Sequence, residues 1–194
     1  MLVGLPSTRL DANVHRVDNS PVACRTVPRS IDLTAQSPHS LHRIRSAFGD
    51  AAYWRARLSA FEAGLPILDY LTTDAAGATS VSMTMRFGGD QLPVPIQRLR
   101  IGALDIVQRE RWYAVEGGSL RGEITVDAPR TPISGAGSVH LTPVDSGTRL
   151  AGTARVKVNV PIIGGPIARF IAGQLANGIL DIVHVTDSWL DENP

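Results

Sequence analysis

The chain has 194 residues, of which 43% are hydrophobic and 19% are charged, and its formal net charge is +1. This length and composition are typical of one globular domain with a sizeable core. The near-zero charge gives no electrostatic case for binding nucleic acid or an anionic membrane, because affinity for phosphates needs clustered Lys and Arg. No apolar run approaches the roughly 20 residues that a membrane span needs. The single cysteine, Cys24, excludes an intramolecular disulfide and favours a cytoplasmic location.

The first 27 residues differ from the rest of the chain. They show no sustained hydrophobic period, and Pro, Asn and Asp recur among them. Residues 1–27 are therefore predicted to be a poorly structured N-terminal tail. Residues 28–190 are predicted to form a single domain.

The next segment predicts one strand and two short helices. Ile31, Leu33 and Ala35 alternate with polar residues, which is typical of a half-buried strand. Ser37 followed by Pro38 predicts the N-cap and first turn of a helix. Asp50 is predicted to cap a second helix.

From residue 65 onward the hydrophobic period becomes two. Strands are predicted over residues 67–73, 79–87, 104–115, 120–127, 135–144 and 149–160, with a helical turn over 96–101. Short loops join the strands, which favours an antiparallel sheet over a βαβ arrangement.

Residues 161–190 are predicted to contain one long amphipathic helix. The apolar residues recur on one side of a 3.6-residue period: Ile167, Ile171, Leu175, Gly178, Ile179, Ile182, Val185 and Trp189. A helix of this length spans roughly 36 Å and needs a large apolar surface beneath it. The predicted fold class is therefore α+β: a curved antiparallel sheet of six to seven strands wrapped on a long C-terminal helix, with two short helices after strand 1.

Four short segments carry a resemblance to a known superfamily. They are PRSIDLTA at 28–35, FGDAAYW at 48–54, RGEI at 121–124 and FIAGQL at 170–175. With the element order, they resemble the helix-grip fold of the START and polyketide-cyclase superfamily (SRPBCC), which includes the birch-pollen allergens. The match is closer to an uncharacterised bacterial family within it, and it covers residues 28–189.

The resemblance implies an internal apolar cavity and carries over no catalytic residues. Such proteins tend to begin one residue before the PRSI motif, which here is Val27. We therefore hypothesise that translation starts at Val27, which native protein with an intact Met1 terminus would refute.

A cavity between the sheet and the long helix would be lined by inward-facing residues of both. The predicted lining is Val81, Met83, Met85, Phe87, Ile106, Trp112, Ile124, Val156, Ile171, Gln174, Leu175, Gly178 and Ile182. Gly178 is notable because glycine inside a helix costs about 1 kcal/mol against alanine. Either a neighbour packs closely there or space is left for a ligand.

One acidic residue is the best candidate for a buried polar group. Glu110 shares its strand parity with Leu104, Ile106 and Trp112, so it is also a weak candidate for catalysis. Arg121 and Glu123 are expected to face solvent.

No cofactor or metal site is predicted. His39 and His42 have a spacing that can chelate a metal, but no third ligand is near in sequence, and both are expected to be exposed. The pairs Gly88-Gly89 and Gly164-Gly165 lack the lysine and the strand-to-helix turn of a phosphate loop.

The first functional hypothesis is binding of a small hydrophobic or amphipathic molecule, lipid-like or polyketide-like, in the cavity. One alternative is a cyclase or hydratase that uses polar residues of the cavity for proton transfer. Another is a protein-interaction module whose core is filled. The sequence leaves the ligand, the cavity volume and the oligomeric state open.

Overall fold

The computed structural model describes residues 29–60, 65–88, 94–97, 103–159 and 182–194. The strands are β1 (Arg29–Ser37), β2 (Leu65–Thr73), β3 (Thr79–Phe87), β4 (Leu104–Val115), β5 (Ser119–Ala128), β6 (Ile133–Val144) and β7 (Gly147–Val158). The helices are α1 (Leu41–Phe48), α2 (Ala51–Ser59) and α3 (Val94–Gln97), with a 3-10 turn at Glu116–Gly118. Residues 182–192 are helical and are called α4.

The strands form one antiparallel seven-stranded sheet in the order β1-β7-β6-β5-β4-β3-β2. Strands β2 to β7 pair in chain order, whereas β1 pairs with the last strand. The sheet edges β1 and β2 are consecutive in sequence, so α1 and α2 connect one edge of the sheet to the other. This arrangement confirms the predicted α+β class.

Helix α1 begins three residues later than predicted. Ser40 is its N-cap and accepts a hydrogen bond from the Arg43 amide. Ser37 instead ends β1 opposite Thr148, and its hydroxyl donates to Asp187 in α4. The Ser37-Pro38 pair therefore does not begin the helix, because the Ser37 hydroxyl bonds to a residue far away in sequence.

Two other local predictions can be compared with the structure. Asp50 caps α2 as predicted, accepting a hydrogen bond from the Ala52 amide at 2.7 Å. The helical turn before β4 lies at Val94–Gln97, earlier than the predicted 96–101, and residues 98–102 lie outside the described part. The tail prediction for residues 1–27 also lies outside it.

An aromatic cluster joins α1 and α2 to the sheet. The Phe48 ring centroid lies 4.6 Å from that of Trp112 and 5.5 Å from that of Tyr53. Trp54 is buried, and its indole N–H donates to the Phe48 carbonyl at 2.8 Å. Trp189 in α4 meets Tyr53 edge-on at 5.5 Å. We call the sheet face that the helices cover the inner face. These contacts hold both short helices over one half of it.

Candidate ligand cavity

A cavity of about 150 Å³ lies between the inner sheet face, the short helices and α4. An engineered cavity of about this volume with aliphatic and aromatic walls stays dry and binds benzene. Most of the described lining is apolar: Leu33, Ile44, Phe48, Trp112, Ile124, Val126, Val139, Leu141, Leu150, Ile182 and Val183. The cavity therefore has the size and character of a site for a ring-sized apolar group.

Small residues on the inner face create this space. Gly137 of β6 lies between Ile124 of β5 and Ala154 of β7, and all three line the cavity. Gly135, two residues earlier, also lines it. Neither glycine has a side chain that could extend into the cavity. Gly137 also lets β7 pack closely, since a Cβ there would lie 3.0 Å from the Thr153 carbonyl oxygen.

The structure brings three of the predicted lining residues to the cavity. Trp112, Ile124 and Ile182 line it. Two others, Val81 and Met83, belong instead to the packed core beneath α1 and α2. The remaining described ones are Met85, Phe87 and Ile106, which are half-buried, and Val156, which is buried; none of them lines the cavity.

The reason is the position of the short helices. They pack over strands β2 to β6, so the open space lies toward the β6, β7 and β1 side of the sheet, with Ile124 and Val126 of β5 at its border. The predicted residues Ile171, Gln174, Leu175 and Gly178 lie outside the described residues.

Several lining residues were missed from the sequence. The Gly135-Ala136-Gly137 run was a usable signal, because glycine inside a strand often marks a close approach or an open space. Arg57 follows Tyr53 by four residues and so shares its helix face. That spacing places an arginine beside a tyrosine predicted to be buried, and it could have identified Arg57 as a buried residue near the cavity.

The most buried Arg and Glu side chains in the described part of the chain form one ion pair on the cavity wall. Glu110 and Arg57 are 3% and 5% exposed. Arg57 Nη2 lies 2.8 Å from Glu110 Oε1, and Nη1 lies 3.4 Å from Oε2. The guanidinium carbon also lies 4.8 Å from the centroid of the Trp54 ring.

Glu110 is held by further donors on its own strand. Gln108 Nε2 donates to Oε1 at 2.5 Å, and Trp112 Nε1 donates to Oε2 at 2.8 Å. All four hydrogen bonds are donated to the carboxyl group, which is the arrangement of an ionised carboxylate. Burial opposes the charge on Arg57, but the combined effects of Glu110 and Tyr53 outweigh it, and the pKa of Arg57 is raised. Both members of the pair are therefore charged.

One donor of this pair is left over. Arg57 Nε is buried and has no hydrogen-bond partner among the described residues. The nearby Tyr53 hydroxyl pairs with Thr186 Oγ1 at 2.8 Å, and burial raises the pKa of Tyr53. A buried donor without a partner costs about 1–3 kcal/mol.

A second polar group lies where β1 meets α4. Ser37 Oγ donates to Asp187 Oδ1 at 2.5 Å, and both residues line the cavity. Burial raises the pKa of Asp187, an effect that the Ser37 hydrogen bond and the nearby His39 and His184 partly oppose.

The prediction that His39 is exposed is wrong. Its side chain is 8% exposed, with Nδ1 at 3.2 Å from Arg43 Nη1. Its Nε2 lies 3.3 Å from Asp191 Oδ1 without hydrogen-bond geometry. His39 is buried because α4 packs over the start of α1, and this packing was not visible in the helix period. His42 is exposed, as expected.

Among the described residues, no helix is long and apolar enough to cross a membrane.

Solved structures define the class of the fold. The protein TTHA0849 from Thermus thermophilus superposes with a TM-score of 0.54 at 13% identity, covering 83% of this chain and 96% of that one. Ara h 8.0201 superposes with a TM-score of 0.54 at 9% identity, covering 86% of this chain and 100% of that one. Ara h 8.0201 is a birch-pollen-allergen-like protein. The fold is thus the helix-grip fold, which is the fold that the resemblance noted in the sequence implied.

The family can also be stated. Residues 32–190 match the family described as "Protein of unknown function (DUF2505)", and the chain belongs to it. A curated relative is the Mycobacterium tuberculosis protein Rv0481c, described as uncharacterised. It is 26% identical over 173 residues, which cover 86% of this chain and 99% of the relative. Mb0491c from Mycobacterium bovis matches with the same figures.

Proposed function

We propose that the protein binds a small hydrophobic molecule in the cavity between the sheet and α4. The observation that carries this proposal is the 150 Å³ space with apolar walls and a few polar groups. Binding sites for small molecules are typically apolar clefts with a small number of placed polar groups.

The volume limits the part of the ligand that is enclosed. Ligand pockets commonly measure roughly 300–1,000 Å³, so this cavity suits one ring or a short branched chain. Each buried methylene group contributes about 0.8 kcal/mol, so a six- to eight-carbon hydrocarbon gains on the order of 5 kcal/mol. That free energy corresponds to a dissociation constant of roughly 200 μM.

A cyclase or hydratase is the second candidate function, and one residue favours it. Asp187 lines the cavity with a raised pKa, which is the property of a general acid. Glu110 is less suited to act as a base, since both of its oxygens already accept two hydrogen bonds. Its catalytic role stays a prediction.

The experiment is a titration of the full-length protein with ethylbenzene, followed by 1H–13C NMR of methyl groups. Shifts are expected at Ile124, Leu141 and Leu150, which line the cavity. Methyl groups of the packed core, such as those of Val81, serve as the internal reference.

A matched pair of variants on β7 provides the control. Ala154→Leu places a larger side chain in the cavity, whereas Ala151→Leu lies on the opposite face of the same strand. We expect the first variant to abolish the shifts and the second to retain them. Equal binding by both variants, or no saturable shift in the wild type at millimolar ethylbenzene, would overturn the proposal.

A further inference from the structure

We infer that the ligand of the cavity carries an uncharged oxygen acceptor, such as a ketone, ester or alcohol, and that this oxygen binds Arg57 Nε–H. This inference rests on the proposed function and names the chemical class of its ligand. Its basis is the polar end of the cavity formed by Arg57, Gln108 and Glu110, all of which line it.

The geometry of the guanidinium leaves one of its three nitrogens, Nε, without a hydrogen-bond partner among the described residues. A guanidinium group carries five N–H donors in a fixed plane. The two terminal nitrogens face Glu110: Nη2 lies 2.8 Å from Oε1, and Nη1 lies 3.4 Å from Oε2. These bonds, with the Trp54 ring beside the group, fix the plane of the guanidinium. Nε–H therefore cannot rotate toward another partner without breaking the pair.

The available donor is buried. Arg57 is 5% exposed, and its Nε has no hydrogen-bond partner among the described residues. Buried polar groups in native proteins are nearly always satisfied, and each exception needs an explanation. The Tyr53 hydroxyl lies beside the guanidinium but not in hydrogen-bond geometry with Nε. A ligand oxygen supplies the missing acceptor, because Arg57 belongs to the cavity wall.

The charges around the site select an uncharged acceptor. Glu110 neutralises Arg57 at 2.8 Å, so a ligand carboxylate would add an uncompensated negative charge beside Glu110. Asp187, which also lines the cavity, adds further acidic character. A carbonyl or hydroxyl oxygen accepts the same hydrogen bond and brings no charge with it.

The test uses two probes of nearly equal shape, acetophenone and α-methylstyrene. Acetophenone has a carbonyl oxygen where α-methylstyrene has a methylene group. Both are titrated into the full-length wild type and into the variant Arg57→Met/Glu110→Gln. A hydrogen bond to a charged donor predicts that the affinity ratio of the two probes changes by about tenfold between the two proteins. Comparing the ratio between proteins cancels the difference in water solubility of the probes.

A spectroscopic measurement on the wild type does not depend on the folding of the variant. The Arg57 Nε–Hε cross-peak should move downfield with acetophenone and stay in place with α-methylstyrene. A third probe, benzoate, should bind more weakly than acetophenone.

The outcomes separate the inference from the proposed function. If neither probe binds, the proposed function fails. If both bind but the affinity ratio is the same in both proteins and the cross-peak does not move, only this inference fails. If benzoate binds more tightly than acetophenone, the assignment of an uncharged acceptor is wrong.

Discussion

The buried pair of Arg57 and Glu110 should make the two residues strongly interdependent in stability. The variant Glu110→Gln keeps the shape of the side chain and an acceptor oxygen for Trp112 Nε1. It leaves the Arg57 guanidinium, which is 5% exposed, without its counter-charge. Breaking a buried pair in this way costs about 3–5 kcal/mol. Arg57→Met should cost a similar amount, because it isolates the Glu110 carboxylate.

The double variant Arg57→Met/Glu110→Gln removes both charges. If the two sites acted independently, it would lose about 6–10 kcal/mol, a large part of the 5–15 kcal/mol that stabilises a typical domain. We expect a loss of only about 1–3 kcal/mol, since no uncompensated charge remains and the Trp112 hydrogen bond is retained. The coupling free energy should therefore be several kcal/mol.

Urea unfolding followed by tryptophan fluorescence measures these differences, with an unchanged m value as the check on two-state behaviour. Arg86→Met is the matched control. Arg86 forms two hydrogen bonds with Asp105, but its side chain is 63% exposed. Its loss should be far smaller and should shrink further in high salt. Additive single variants, or a cost below about 1 kcal/mol for Glu110→Gln, would refute the reasoning.

Two further variants test other parts of the site. The raised pKa of Asp187 means that its contribution to stability is complete below pH 3.8 and is lost as pH rises through the folded-state pKa. Asp187→Asn should therefore gain stability relative to the wild type as the pH increases from 3.8 to 7, and a constant difference across that range in urea unfolding would contradict this. Gly122→Ala should destabilise the protein by about 1–3 kcal/mol, because the added Cβ would lie 2.4 Å from the Trp112 ring. Thermal unfolding within error of the wild type would show that Trp112 can move aside.

Most strands and their inward faces were predictable from the sequence because they have a clear period of two, although a bulge between Leu68 and Tyr70 interrupts it in β2. That period also placed Glu110 on the same face as Trp112, and the registry of β4 with β5 agrees. The Asp50 cap was also predictable, because a capping residue and the amide that it bonds lie within a few residues of each other.

The polar partners and the position of the cavity could not be predicted in this way. The partner of Glu110 lies 53 residues away in α2, and the partner of Ser37 lies 150 residues away in α4. The sequence pattern also does not say which half of the inner face the short helices cover. Val81 and Met83 therefore have the right parity for the cavity but lie in the packed core.

The pairing of the first strand with the last has a consequence for the order of folding. β1 and β7 are joined only after about 110 intervening residues have been synthesised, and the Ser37–Asp187 bond joins residues 150 positions apart. Closing such long loops is slow compared with forming the hairpins between β2 and β7. We therefore expect the hairpins to form while the chain is still emerging from the ribosome. The cavity, which needs both β1 and α4, would then close only after α4 has been synthesised, so a ligand would enter after the hairpins of the sheet have formed.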